Sequence, residues 1–392
     1  MRFAYLVDYD IINLMYPRIL EKQIEDKLFL GKAIIIYGPR QVGKTTLLKS
    51  IFGNIYKNKE VTYLSCDDPV TRRALTNKSA TELKSNIGNC DIVILDEAQL
   101  VENIGITIKL LVDNYPHLQV IATGSSSFEL ANKIVEPLTG RAYEFSLYGL
   151  SLEEIENKDS RIKVLSDIEN IIILGTYPAI ITSADRKIEN LGLVSGGFLY
   201  KDILAYEGIR KPELLEKILT VLARSISGEL SIQSIANDVD ASQQTVSSYI
   251  NLLEQAHIVY TLKSLESNDI SSMRKKKKYY ITDTGIRNSI SGEFVSTDSR
   301  SDVGQLWENL CVLERIKFHT NAGRIPKLYF WRNENKAEVD LIDLTTGYEK
   351  AFEFTYSESA SKNKRIPRAF ISKFPNIKTE IVYKDVYYKL FE

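Results

Sequence analysis

Eight residues, Gly38-Pro39-Arg40-Gln41-Val42-Gly43-Lys44-Thr45, constrain this chain more than any others. They follow the apolar run Ala33–Tyr37 (AIIIY), which reads as a buried strand. They lead into Thr45-Thr46-Leu47-Leu48-Lys49, which reads as the opening of a helix. A glycine-bounded loop in that place is a P-loop. Gly38 and Gly43 permit a tight turn in which several backbone N–H groups aim at phosphates, aided by the helix N-terminus. Lys44 is expected to reach the β- and γ-phosphates of ATP, and the Thr45 hydroxyl to coordinate Mg²⁺. Residues 38–46, through Thr46, form the expected cradle.

A second element supports the first. Asp91-Ile92-Val93-Ile94-Leu95 is a short apolar run ending in Asp96-Glu97. A buried strand with two carboxylates at its C-terminal tip presents them at the ligand-binding edge of an α/β sheet. Asp96 is expected to hold Mg²⁺, and Glu97 to orient and deprotonate the attacking water. Glu60–Ser65 (EVTYLS) lies between these two motifs along the chain, and Gln119–Thr123 (QVIAT) follows them, with Glu102–Tyr115 as a crossover helix. The extra strand and the glutamate after the aspartate point to ATPases of the additional-strand type, since small GTPases lack both. QVIAT runs into Gly124-Ser125-Ser126-Ser127, where a polar side chain such as Ser125 senses the γ-phosphate, or the run is a serine-rich loop with a helix N-cap at Ser126 or Ser127.

The 392 residues predict two to four domains, and 44% apolar content suffices to bury cores. No run reaches the ~18 apolar residues of a membrane span. The N-terminus, MRFAYLVDYD, has aspartates where a signal peptide needs an apolar core. The expected location is the cytoplasm. Cys66, Cys90 and Cys311 are isolated, and His117, His257 and His319 lack ligand spacing, so phosphate chemistry is expected rather than transition metals. A net charge of −1 gives nucleic acid no global attraction, so any such role needs a local basic patch.

Beyond an N-terminal arm (1–30) and the core (31–150), residues 151–210 read as a helical lid interrupted at Gly175-Thr176-Tyr177-Pro178. From 211 to 290 the pattern is a winged helix. Leu214–Ser225, Ser231–Val239 and Ser242–Gln255 are three helices, and His257–Leu262 and Lys278–Thr282 are strands flanking a polar loop. Val246, Ile250 and Leu253 form the inward stripe of the third helix. Its outward positions, Gln243, Gln244, Thr245, Ser247 and Ser248, suit hydrogen bonds to bases or phosphates, but none is Arg or Lys. The basic run Arg274-Lys275-Lys276-Lys277-Lys278 is placed at the wing, either to neutralise DNA phosphates or as a solvated hairpin tip.

The polar stretch 291–303 reads as a linker, and 304–392 as an α/β unit. Its features are a helix around Gly304–His319 with Glu308, then strands Lys327–Trp331, Glu338–Ile342 and Lys350–Tyr356. Strand parity puts Phe352, Phe354 and Tyr356 on one face and Glu353 and Thr355 on the other. Asp340 and Glu353 then form a candidate second metal pair. This layout resembles the restriction-endonuclease-like fold, except that Thr355 stands where a catalytic lysine is usual. Lys350 lies on the opposite face. The expectation is a non-catalytic relic used in binding.

Taken in order, GPRQVGKTTLL, Asp67-Asp68-Pro69, DIVILDEAQ, TGSSS, LTGRAYEFSLYGLS, GTYP and FLYKDIL resemble the prokaryotic AAA-type ATPases of the archaeal ATPase group. The C-terminal half resembles the uncharacterised nuclease-like domain usually fused to them. The resemblance implies that Arg18 lies near the adenine. It also implies that Arg141 addresses the γ-phosphate, in its own subunit or in a neighbour of a homo-oligomer. The expected fold is α/β: an additional-strand P-loop ATPase core, a helical lid, a winged helix and a restriction-endonuclease-like domain. The expected function is Mg-dependent ATP hydrolysis driving a conformational change on or near DNA. The alternative is a nucleotide-gated switch that binds protein partners.

Overall fold

The runs AIIIY, VTYLS, IVILD and QVIATG become strands β1 (Ala33–Tyr37), β2 (Val61–Ser65), β3 (Ile92–Asp96) and β4 (Gln119–Gly124), completed by β5 (Ala142–Ser146). β1, β3 and β4 are buried over their whole length, so their apolar residues run unbroken instead of alternating. The computed structural model describes residues 15–54, 59–124, 138–183, 185–204, 211–265 and 276–392, with side chains for all of these except 54 and 197–204. It contains two compact units. One comprises the chain up to 149 with 255–257 and 321–323; the other comprises 150–254, 258–320 and 324–392.

In the first unit all five strands are parallel, in the order β2-β3-β4-β1-β5. The strand inserted between β1 and β3 is therefore β4. β2, which separates them along the chain, sits at the sheet edge. Helix α1 (Lys44–Asn54) follows the P-loop, and α2 (Ile104–Asn114) is the expected crossover, covering Val93, Leu95 and Val120 with Ile104, Ile108 and Leu111. Parallel pairing brings the C-terminal ends of β1, β3 and β4 to one edge, and the site forms there.

The second unit contains helices α3 (Leu152–Lys158), α4 (Arg161–Leu174), α5 (Pro212–Arg224), α6 (Ile232–Asp238), α7 (Gln243–Gln255), α8 (Thr284–Ser291) and α9 (Val303–Asn321). Between α5 and α6 lies the short strand β6 (Glu229–Leu230), and after α7 come β7 (Val259–Ser264) and β8 (Lys277–Ile281). Here three helices alternate with short antiparallel strands, and Val246, Ile250 and Leu253 of α7 are buried. The sheet does not stop there. β7 pairs in parallel with β9 (Leu328–Arg332), which continues into β10 (Glu338–Asp343), β11 (Lys350–Phe354) and β12 (Lys378–Val382). One seven-stranded sheet, β12-β11-β10-β9-β7-β8-β6, thus spans what reads in sequence as two domains.

Part of the expected linker at 291–303 is anchored by ion pairs. The Arg300 side chain is almost fully buried and pairs with Asp302 at 2.7 Å, and Arg287 reaches Asp302 at 2.8 Å. Arg300 and Asp302 thus tie down the end of a segment whose other residues are largely exposed. The helices expected as a lid also pack inside this unit. Gly175 (φ +78°) ends α4 where a Cβ would lie 2.0 Å from the Asp283 carboxylate, and that carboxylate accepts from the Thr176 N–H at 2.8 Å and caps α8. Asn288 of α8 donates to the carbonyl of Ile173 at 2.8 Å.

Candidate nucleotide site and C-terminal carboxylate cluster

The P-loop turns where glycine is required. Gly38 has φ +159°, and a Cβ there would lie 2.2 Å from the Leu147 carbonyl; Gly43 has φ +96°. Gln41 also adopts positive φ, while Val42 turns its side chain into the core and leaves its backbone to the loop. Pro39 is buried, Arg40 half-buried, and Thr46 exposed on the first turn of α1. Arg18 grips the loop from outside, donating to the carbonyls of Val42 (2.9 Å) and Tyr148 (2.8 Å). That contact holds the loop's shape, so Arg18 belongs to the cradle wall.

The Lys44 ammonium is buried under the loop and donates to the carbonyls of Gly38 (2.7 Å) and Pro39 (3.0 Å). The Thr45 hydroxyl donates to Asp96 at 3.1 Å, joining the two motifs. Two further hydroxyls, of Tyr63 on β2 and Thr123 on β4, also bind the Asp96 carboxylate. Burial, then the Asp96 charge, pushes the Tyr63 phenol well above its ordinary range, so it stays a donor. Glu97 is held in the left-handed region (φ +53°). Its N–H donates to Thr123 Oγ1 at 3.2 Å, and its carboxylate accepts from buried Gln99 at 2.6 Å. An oxygen-only donor pair, Thr45 with Asp96, fits a hard cation such as Mg²⁺.

Tyr63, Thr123 and Gln99 escape a reading by motif alone. Gln99 had a signal, two residues after Glu97 in DEAQ. Thr123 is the last side-chain-bearing residue of β4, two positions before Ser125. Ser125 itself lies outside the described residues, as do Arg274 and Lys275.

The expectation that Arg141 serves the γ-phosphate of its own chain is not met. Its carbonyl accepts from Ala33 N at 2.9 Å, at the N-terminal end of β1, and its guanidinium pairs with Asp113 at 2.7 Å. The P-loop leaves the other end of that strand, roughly 13 Å away at a ~3.3 Å rise per residue.

The C-terminal carboxylates do gather, but around lysines. Asp340 accepts from the Phe354 N–H at 2.9 Å, and Glu353 pairs with Lys364 at 2.7 Å, with Lys364 3.6 Å from Asp340. Lys278, expected at the exposed wing, is buried on β8. Its ammonium lies 2.9 Å from Glu308, 2.5 Å from Glu338 and 3.8 Å from Asp340. Burial pulls the Lys278 ammonium down, but these carboxylates, Glu308 foremost, outweigh it and hold the charge above its ordinary value. Burial and Asp340 push the Glu353 carboxyl up to about 8. Among the described residues no three His, Cys, Asp or Glu side chains stand together as a metal site. Asp340 and Glu353, the expected metal pair, stand together beside Lys364 in an ion-paired cluster. Lys364, ten residues past the strand, carried no sequence signal.

Among known proteins, residues 30–156 match the model of an AAA domain. Residues 165–297 and 303–389 match two domains of unknown function, DUF8612 and DUF4143. Uncharacterized protein Rv2008c of Mycobacterium tuberculosis is 26% identical over 353 residues, covering 88% of this chain and 75% of its own. Uncharacterized protein MJ1544 of Methanocaldococcus jannaschii is 26% identical over 353 residues, covering 83% and 75%. The Walker-type ATPase of Pyrococcus abyssi superposes with a TM-score of 0.50 at 16% identity, over 71% of this chain and 96% of that one. The chain thus carries the P-loop ATPase fold of the AAA type, with a C-terminal α/β region. Among the described residues no helix is long and apolar enough to cross a membrane.

Proposed function

We propose that the protein binds and hydrolyses Mg·ATP at the edge formed by β1, β3 and β4, and uses the cycle to change the state of its second unit. One observation carries this reading: Thr45 and Asp96, from separate motifs, meet at 3.1 Å beside a loop that encloses the Lys44 ammonium. Lys44 holds the β- and γ-phosphates once they replace its carbonyl partners. Thr45 and Asp96 hold Mg²⁺, which neutralises phosphate charge when bound. Glu97 takes the proton of the attacking water, oriented by Gln99 and the Thr123 hydroxyl. Arg141 then acts, if on a phosphate at all, on that of a neighbouring copy.

DNA is the proposed substrate surface, through the exposed side of α7 (Gln243, Gln244, Ser248) and Lys276 at the wing. The burial of Lys278 removes one cation from that patch and favours the second reading, a nucleotide-gated switch that engages a protein partner. An ATPase assay with and without duplex DNA tests both. Stimulated turnover supports the DNA-acting machine. Tight binding with slow, DNA-independent turnover supports the switch, and no nucleotide binding at all defeats the proposal.

A further inference from the structure

A divalent ion held by Asp340 and Glu353, with Glu308 or water completing its shell, would stand about 2.0–2.6 Å from their oxygens. Two ammonium groups already stand among these oxygens: Lys364, 2.7 Å from Glu353 and 3.6 Å from Asp340, and Lys278 beside Glu308 and Asp340. Lys278 projects from β8, its ammonium 5.7 Å from the Phe330 ring centre, and ends among Glu308, Glu338 and Asp340. The carboxylate oxygens have other partners besides. Glu308 also accepts from the Tyr280 hydroxyl at 2.8 Å, Asp340 from the Phe354 N–H, and Glu353 from Lys364. Arg332 adds a cation 3.6 Å from Glu338. A metal ion would have to share this buried space with an ammonium, and like charges at such range repel strongly in a low-dielectric interior.

We infer that Lys278 is the resident cation of this cluster: the site is complete without a metal ion, and it fastens the β8 strand of the helical module to α9 and β10. The residues do not fit the metal centre that a nuclease-like fold implies. Lys278 lies on a strand well before that fold begins in sequence, so the missing lysine at Thr355 is not simply restored. An internal ammonium replaces the metal as well. This inference concerns the second unit and stands whether or not the first hydrolyses ATP.

The test uses the full chain with Asp96→Asn, free of nucleotide, so that the phosphate site contributes no metal. Mn²⁺ binding is followed by electron paramagnetic resonance up to about 1 mM, the weak end of oxygen-ligand sites. The expected result is no bound Mn²⁺ in this chain, and one bound Mn²⁺ per chain after Lys278→Met, lost again on adding Glu308→Gln. A folded Lys278→Met chain that gains no Mn²⁺ overturns the inference. So does Mn²⁺ binding to the Lys278 chain that Asp340→Asn abolishes, or Mn²⁺-dependent DNA cleavage with the same dependence. Should Lys278→Met fail to fold, the titration of the Lys278 chain decides alone, absence of binding supporting the inference and Asp340-dependent binding defeating it.

Discussion

Lys44 and Lys278 are both buried ammonium groups near strand-borne carboxylates, but Lys44 donates to main-chain carbonyls, whereas Lys278 lies against Glu308 and Glu338. Neutral carbonyls hold an ammonium without cancelling its charge, so an incoming phosphate can displace them and gain that charge. Carboxylates cancel it, and nothing anionic gains by entering. The carbonyl partners of Lys44 can give way to a phosphate, whereas the carboxylate partners of Lys278 are fixed counter-ions. Lysine next to acidic strand ends therefore says little about chemistry until the lysine's own acceptors are known.

The sharpest break in this comparison concerns Glu97. Glu97→Gln should keep Mg·ATP binding while turnover falls by about 10²–10⁴-fold, as loss of a general base does, measured by phosphate release at saturating ATP. Parent-like turnover would assign the base elsewhere. Next come the two lysines. Lys278→Met leaves the largely buried Glu308 without its cation and should cost about 3–5 kcal/mol in denaturant unfolding. Lys44→Met should cost about 1 kcal/mol or less, yet abolish ATP binding by calorimetry. Equal destabilisation by the two would erase the distinction drawn here.

A smaller effect is expected of Arg141. If it reaches a neighbouring copy, Arg141→Ala should slow turnover by up to ~10³-fold, and mixing that variant with Glu97→Gln protein should restore part of the rate. If it serves only the exposed pair with Asp113, turnover stays and stability changes by about 0–1 kcal/mol. The weakest expected effect is electrostatic. If the wing binds DNA, replacing Lys276 and Lys277 with alanine should lower the slope of log affinity against log salt by about 2, and an unchanged slope would remove the wing from the interface.

The nucleotide site was legible in sequence because its chemistry is local. Gly38 to Thr45 are contiguous, and Asp96-Glu97 close a strand whose unbroken apolar run announces burial. The helices of the second unit were equally legible, since Val246, Ile250 and Leu253 repeat at helical spacing. What those residues could not convey was pairing across long separations. Lys278 reads as one of five like charges on a hairpin, and its partners lie thirty or more residues further on. Arg300 reads as solvent-loving, and the fold buries its side chain against Asp302.

The sequence by itself determined the P-loop strand, the loop and its carboxylate strand, because backbone geometry and hydrophobic periodicity act within a few residues. Only the tertiary structure decided that β4 separates β1 from β3 and that Arg141 lies at the far end of its strand. It also decided that two modules share one sheet and that an ammonium fills the C-terminal cluster. Strand order, and the burial of a charge against its counter-charge, depend on which distant segments the folded chain brings within a few ångströms, where electrostatic interaction and desolvation are largest.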